Sequence, residues 1–227
     1  TLFKNIDLCI ERGDRVAVIG ANGAGKSTLL RLIMGAEEPR DGRAEIVAKN
    51  AVPVLFEQDQ ANALPLESTV IQTMEDAARK TDFVYEQLRA LLGRFMFKDD
   101  KVNDKLSTLS GGEKARVALA AFALQPLQVF LADEPSNHLD AATMAMLQTA
   151  LGPKAWNGAL VLSSHDRAFC DGMGFTHVAH VRDGKVLVFE RPPTEEDWAT
   201  VHDGVLEKST GAAENAAGAQ KEATATV

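Results

Sequence analysis

The chain has 227 residues, 45% of them hydrophobic, which is enough for a buried core in one large domain or two small ones. Its net charge of −8 at pH 7 argues against a broad nucleic-acid-binding surface, so we expect no direct DNA binding. Two cysteines suit neither a disulfide framework nor a metal site. They favour a reducing compartment, the cytoplasm or, alternatively, the stroma of a chloroplast or another organelle. The longest apolar runs are too short to span a bilayer, and the missing initiator Met predicts a piece of a longer protein.

The first part of the chain reads as short strands, turns and one helix. Polar and apolar residues alternate at the start, as in a half-buried strand, and a continuous apolar run follows, as in a buried parallel strand. The predicted elements are strands at Phe3–Ile10, Arg15–Ile19, Ala44–Val47 and Val52–Phe56, and a helix from Ser27 to Met34 that ends near Gly35.

The nine residues from Gly20 to Thr28 follow the second strand and run into the helix, and the first eight fit the phosphate-loop pattern G-x-x-x-x-G-K-[ST]. Glycines allow a tight turn that points backbone N–H groups at anionic oxygens, and the helix N-terminus adds partial positive charge. Lys26 can reach the β- and γ-phosphates of a nucleotide, and Ser27 can offer its hydroxyl to Mg²⁺. The residues predicted to bind the nucleotide here are Gly20, Ala21, Asn22, Gly23, Ala24, Gly25, Lys26, Ser27 and Thr28.

A helical segment then interrupts the alternation of strands and helices. Apolar spacing predicts two helices within residues 68–93, followed by a polar, loop-like stretch from Met96 to Leu106. Ser110 is a good N-cap for a third helix running to about Leu124, and the two glycines after it expose backbone donors to an anion. We interpret residues 66–125 as a helical subdomain inserted into an α/β core.

The last part returns to strands and helices before its composition changes. From Lys208 the chain has almost no large apolar residue, so we predict a folded domain over 1–207 and a disordered tail over 208–227. The predicted elements are a strand at Val129–Ala132, a helix at Ala141–Leu151, a strand at Leu160–Leu162, a short helix capped by Asp166, a hairpin of His177–Val181 and Lys185–Phe189, and a helix from Thr194 to Val205.

Three of the predicted strands are each followed by chemically useful residues: the phosphate loop, Asp133 with Glu134, and His165. Because the carboxyl ends of parallel strands lie along one edge of a sheet, these residues should meet at one phosphate site. Asp133 suits Mg²⁺ binding together with Ser27, and Glu134 can take a proton from an attacking water. His165 can hydrogen-bond the γ-phosphate. Gln58 can sense that phosphate or hold the water, which makes it a candidate for both catalysis and the metal, with Gln60 as its competitor.

Together with the pentapeptide Leu109–Glu113, these motifs resemble an ATP-binding-cassette (ABC) ATPase in order and spacing. The resemblance implies an α/β fold: a P-loop NTPase nucleotide-binding domain of the ABC type with an inserted helical subdomain and an antiparallel β part. More narrowly, the chain resembles the ABC-F branch, whose members carry two cassettes on one chain and no membrane domain. This narrower likeness is to the second cassette and covers roughly Leu2 to Phe189. The segments that carry it are Leu2–Asn5, Gly13–Arg15, Phe56–Gln58, Leu109–Arg116, Asn137–Asp140 and Ser164–Arg167.

The resemblance also implies a mechanism that needs two cassettes. ATP and Mg²⁺ would be the cofactors, and two cassettes would sandwich two ATP molecules. Ser110, Gly111 and Gly112 would cap the γ-phosphate of ATP on the facing cassette, with Asp140 at the interface. The implied partners are a second cassette, from the same parent chain or a homodimer, and the ribosome in translation. The family usually places an aromatic residue that stacks on adenine a few residues before the first strand; here that position would lie before Thr1, so we expect the residue to be missing or cut off.

Two other functions remain open from the sequence. The chain could be the ATPase subunit of a membrane transporter, docking through residues 68–106, or a non-hydrolysing ATP-dependent switch, against which intact Lys26 and Glu134 argue. Individual residues have plainer interpretations as well. Glu134 could be an ordinary strand-end carboxylate, His165 a capping histidine, and Gln58 a polar loop residue.

Overall fold

The computed structural model describes residues 3–4, 6–46, 51, 53–56, 63–79, 81–125 and 128–202. Several predictions fall outside these residues: Gln58, Gln60, the ends of two predicted strands at Val47 and Val52, the side chain of His138 and the predicted tail.

A six-stranded sheet organises the described part of the chain, in the order β2-β3-β4-β1-β5-β6. The first five strands in this order run parallel, and only β6 is antiparallel to its neighbour. Their carboxyl ends therefore lie along one edge, as the sequence predicts. The strands are β1 (Arg15–Ile19), β2 (Pro53–Phe56), β3 (Val129–Asp133), β4 (Ala159–Ser163), β5 (His177–Arg182) and β6 (Lys185–Phe189).

Each face of the sheet buries its own core, because alternate side chains of a strand point to opposite faces. In β1, Val16 and Val18 join one core and Ala17 and Ile19 the other. The first core is covered by α1 (Lys26–Met34), and the second by the helical segment and α5 (Ala141–Leu151). With both faces covered, β1, β3 and β4 read as continuous apolar runs rather than alternating ones.

The helical segment forms as predicted, with one correction. It contains α2 (Val70–Ala78), α3 (Tyr85–Arg94) and α4 (Gly111–Phe122). The stretch from Met96 to Leu106 is not simply polar loop, because it includes a 3-10 helix at Asp99–Asn103 and buries Phe97, Val102 and Leu106. Single apolar residues spaced along a polar background give no clear helical period, which is why their burial is hard to predict.

The predicted strand at Phe3–Ile10 is wrong. None of its described residues belongs to a strand, although Leu8 and Ile10 are buried in the core beside α1. The described part of Ala44–Val47 is also not a strand, and Ala44 and Glu45 are exposed. Alternation predicts which side of an extended segment is buried, but a strand also needs a neighbour to complete its hydrogen bonds.

The closing elements agree with prediction. The β5–β6 hairpin turns through Asp183 and Gly184, whose φ angles of +51° and +73° are those of a two-residue type I′ turn. Asp166 accepts a hydrogen bond from the Phe169 amide at 3.0 Å and so caps α6 (Arg167–Asp171). Helix α7 spans Glu195–His202. Among the described residues, no helix is both long and apolar enough to cross a membrane.

Candidate functional site: a phosphate loop at the sheet edge and a helix that begins with two glycines

The phosphate loop leaves the carboxyl end of β1 and wraps the start of α1. A Cβ atom at Gly20 would lie 2.4 Å from the carbonyl oxygen of Val181, so only glycine allows the loop to pass this close to β5. Gly25, the residue before α1, has φ +110°, which side-chain-bearing residues rarely adopt. The loop thus presents its backbone amides at a helix N-terminus, the geometry that suits an anion.

Lys26 extends back across the loop and is almost fully buried. Its Nζ donates to the Gly20 carbonyl at 2.8 Å and to the Ala21 carbonyl at 3.3 Å. Desolvation lowers the pKa of Lys26, while the nearby carboxylates of Glu134 and Asp133 oppose this shift. An ammonium has three N–H donors, so one remains for a phosphate oxygen.

Glu134 stands directly after β3 in a strained conformation. Its φ of +47° and ψ of +50° place a non-glycine residue in the left-handed region, which costs about 1–3 kcal/mol and is common at functional sites. Its Oε2 accepts a hydrogen bond from the His165 amide at 3.2 Å. Its Oε1 is buried and accepts no hydrogen bond from the described residues, although the His165 Nε2 lies 2.9 Å away. The buried Oε1 therefore faces the ring of His165 without a hydrogen bond from the described residues.

His165 joins the base to the phosphate loop. Its Nε2 lies 3.1 Å from Oδ1 of Asn22, within hydrogen-bond distance, while the same nitrogen faces Glu134. Residues from three separate strand ends, Asn22, Glu134 and His165, therefore meet at one point, as predicted.

The residues at this edge fit a magnesium nucleotide better than a metal held by protein alone. No group of three or more His, Cys, Asp or Glu side chains in the described ranges could hold a metal ion. Mg²⁺ in nucleotide sites takes one or two protein ligands plus phosphate oxygens and water. Ser27 at the start of α1 and Asp133 at the end of β3 are half-buried and supply that kind of donor set. Gln58, predicted as a third metal ligand and as a catalytic residue, lies outside the described residues.

The glycine pair of the predicted signature opens α4. Ser110 caps this helix: its Oγ accepts from the Glu113 amide at 3.3 Å, and Glu113 accepts from the Ser110 amide at 2.9 Å. Lys101 donates to Glu113 at 2.8 Å, and this bond, followed by the one from the Ser110 amide, lowers the pKa of Glu113 to about 2. Gly111 is exposed. The described hydrogen bonds of Ser110 stay within the first turn of its own helix.

Arg116 is a residue of this region that sequence reasoning missed. Its guanidinium donates to Oδ2 of Asp140 at 2.6 Å and to Oγ1 of Thr143 at 3.2 Å. It also lies 5.9 Å from the ring centroid of Phe97, close enough for a cation–π contact. Asp140 in turn caps α5 by accepting from the Thr143 amide at 2.8 Å. A signal was present in the sequence, because Arg116 interrupts an otherwise apolar run from Ala115 to Ala121.

This bond links the two parts of the site. A 3-10 helix at Pro135–His138 connects Glu134 to Asp140, and Arg116 ties Asp140 to α4. A Cβ atom at Gly112 would lie 3.1 Å from Oδ2 of Asp140. The chain that carries the candidate base is therefore fastened to the helix that begins with the glycine pair.

The sequence of this chain is similar to those of known proteins. The family model described as ABC transporter matches residues 3–137. ABC transporter F family member 2 of Arabidopsis thaliana is 43% identical over 211 residues, covering 93% of this chain and 29% of the relative. The probable ATP-binding protein YbiT of Escherichia coli O157:H7 is 34% identical over 188 residues, covering 83% of this chain and 34% of the relative. The chain thus spans about a third or less of the length of these relatives.

Solved structures agree with the fold. A dimeric post-hydrolysis state of the ATP-binding cassette MJ0796, bound to ADP and Pi, superposes with a TM-score of 0.65 at 23% identity, covering 85% of this chain and 92% of that chain. At this identity the likeness concerns the fold alone. It confirms the predicted class, a P-loop NTPase cassette of the ABC type with a mixed α/β sheet.

Proposed function

Because the chain belongs to the ABC transporter family, whose shared part is an ATP-binding cassette, we propose that it binds Mg-ATP and hydrolyses ATP. The observation that carries this proposal is the meeting of Asn22, Glu134 and His165 beside Lys26, with the buried Oε1 of Glu134 2.9 Å from Nε2 of His165. The surroundings of these residues suit the following roles in ATP binding and hydrolysis.

Lys26 neutralises charge on the β- and γ-phosphates, helped by the backbone amides of Gly20–Thr28. Glu134 accepts a proton from the water that attacks the γ-phosphate. His165 exchanges Asn22 for a γ-phosphate oxygen. Ser27, Asp133 and Gln58 would hold the Mg²⁺, which would withdraw charge from the phosphates when bound, and Gln58 would also orient the water.

The second half of the site comes from another cassette. Ser110, Gly111 and Gly112 bind the γ-phosphate of ATP on the facing cassette through the positive end of α4. Two observations support this arrangement: the described hydrogen bonds of Ser110 stay within its own helix, and cassettes of the same fold are known as dimers. The partner is a second cassette of the same parent chain or a second copy of this one.

More narrowly, the chain is the second cassette of an ABC-F protein that acts on the ribosome in translation, in the cytoplasm or in an organelle stroma. The names of its relatives support the ABC-F assignment, as do the segments Leu109–Arg116, Asn137–Asp140 and Ser164–Arg167. A single cell fractionation distinguishes the two main alternatives, a role in translation and a membrane transporter subunit. Co-sedimentation of the parent protein with ribosomes supports a role in translation, whereas co-purification with membranes supports the transporter subunit.

The proposed ATPase function is tested with Glu134→Gln, which keeps the shape of the side chain and removes the base. Turnover of Mg-ATP should fall at least ~100-fold, since general-base catalysis contributes about 10²–10⁴, while ATP binding persists. In the variant, Mg-ATP should convert the monomer to a dimer, measured as molar mass in solution. Glu11→Gln, an exposed carboxylate in a turn, is the matched control. Unchanged turnover in Glu134→Gln would rule out Glu134 as the base.

A further inference from the structure

Helix α7 is fastened to the sheet by a buried carboxylate, Asp197. The guanidinium of Arg191 donates to its two oxygens at 2.6 and 3.0 Å, and the Thr194 amide and hydroxyl donate to Oδ2 at 2.5 and 2.8 Å. The Nε2 of His180, on β5, lies 2.8 Å from Oδ1. Burial alone would raise the pKa of Asp197, but these donors together hold that pKa well below its usual range.

The next residue of α7 adds an apolar anchor. Trp198 is 7% exposed and belongs to the core that α5 and the helical segment share. With Asp197 held on one side and Trp198 on the other, α7 has a fixed position relative to the sheet. It can therefore hold neighbouring segments that bond to it in a defined position.

Glu195, in the first turn of α7, holds the loop that carries His165. The two terminal nitrogens of Arg167 donate to the two carboxylate oxygens of Glu195. Such a bidentate pair fixes orientation as well as distance. Only Asp166 separates Arg167 from His165, and Asp166 is itself held as the cap of α6.

The Arg167–Glu195 ion pair is exposed to solvent, so we expect it to fix local geometry rather than to stabilise the whole protein. Ion pairs in contact with solvent add little to global stability, and Arg167 and Glu195 have side chains that are 43% and 78% exposed. What the bond determines is where the start of α6, and with it His165, lies relative to the fixed helix α7.

We propose that Glu195 is a positioning residue that acts through Arg167 to hold His165 beside Glu134 and Asn22. The position of α7 and the contact of His165 with the nucleotide are then coupled. The kinetic consequence rests on the proposed ATPase function, whereas the placement of His165 can be measured without ATP.

The placement is tested by NMR of the protein labelled with ¹³C-histidine. The chain has five histidines, and His165→Gln identifies the signal of His165. Glu195→Arg and Arg167→Glu should each shift this signal, and the double variant with exchanged charges should return it toward the wild-type position. The control is the same exchange at Glu67 and Lys105, an exposed ion pair with a 2.9 Å contact in the helical segment, which should leave the signal in place. An unmoved His165 signal in both single variants would overturn the proposal.

Turnover supplies a second measurement that a general loss of structure would not reproduce. In each single variant kcat should fall roughly 10-fold, with KM for Mg-ATP changed by less than about twofold, because the displaced group acts on the γ-phosphate in the transition state. The exchanged pair should recover kcat. If the His165 signal responds as expected but the wild-type chain shows no turnover under any condition, the ATPase proposal fails and the positioning role stands. If KM rises and kcat does not change, Glu195 affects nucleotide binding and the proposed role is wrong.

Discussion

Two regions place backbone N–H groups at the start of a helix: the phosphate edge, where Lys26, Glu134 and His165 follow β1, β3 and β4, and the N-terminus of α4. They differ in how many of their polar groups have hydrogen-bond partners. At the phosphate edge, Lys26 is buried with a lowered pKa, Glu134 is strained, and one of its oxygens is buried without a hydrogen bond from the described residues. At α4, Ser110 and Glu113 satisfy each other in a capping box, and Gly111 is open to solvent.

This difference indicates which of the two regions would be stabilised more by binding a ligand. Buried polar groups without partners raise the free energy of the folded protein until a ligand or water meets them. The phosphate edge therefore gains most from the nucleotide. The α4 terminus already has its capping hydrogen bonds, and under the proposed function it meets a ligand held by another cassette. We expect substitutions in the two regions to affect different measurements.

The largest effect is expected at the phosphate edge, from Lys26→Met. Methionine fills the volume of the buried stem without its charge, so the fold should persist. Mg-ATP affinity should fall about 100-fold, since hydrogen bonds to charged groups contribute roughly 1.5–3 kcal/mol. The measurement is Kd from titration calorimetry, with circular dichroism to confirm folding.

A lysine outside the loop gives the control for this comparison. Lys4→Met, near the β5–β6 turn, should bind Mg-ATP like the wild type. If Lys26→Met binds equally well, the phosphate edge is not the nucleotide site, and the contrast between the two regions loses its basis.

The next prediction concerns the connection between the regions, through Arg116→Met. Loss of the bonds to Asp140 and Thr143 should destabilise the protein by about 1–2 kcal/mol, a value reduced because Asp140 is half-exposed. Mg-ATP affinity should stay within about twofold, since the phosphate loop is untouched, while ATP-dependent dimer formation should weaken roughly 10-fold because the α4 terminus is no longer fixed. Urea unfolding and molar mass in solution measure the two effects.

Arg116→Lys sharpens this test. Lysine keeps the charge but lacks the planar guanidinium that donates to Asp140 and Thr143 and lies near Phe97, so it should restore only part of the stability and little of the dimer formation. Arg94→Met, an exposed arginine of α3, is the control. A loss of nucleotide affinity in Arg116→Met would mean that the two regions are not separable.

The same contrast explains how much of the fold and of the candidate site could be predicted from the sequence. The convergence of the phosphate loop, Glu134 and His165 was predictable, because parallel strand order alone brings strand ends together. The φ of Glu134 and the bond between Arg116 and Asp140 were not, because they depend on how α4 packs on the segment after β3. The predicted strand at Phe3–Ile10 was wrong for a related reason. Alternation of polar and apolar residues predicts burial, but strand pairing depends on which segment of the chain lies alongside.

The smallest effect is expected from Glu113→Gln, which removes the charge from the capping box of α4. At neutral pH the variant should be less stable by about 0.5–1 kcal/mol, from a weakened cap and a lost exposed ion pair with Lys101. The folded-state pKa of Glu113 is lowered to about 2, so its stabilisation is present above the ordinary pKa of 4.5 and is lost as the pH falls toward 2. The difference in Tm between wild type and variant should therefore be constant from pH 7 to about 5 and shrink below it. Glu75→Gln, an exposed carboxylate of α2, is the control. A difference that grows on acidification would show that Glu113 is not held as a carboxylate, and that the α4 terminus is less complete than its geometry indicates.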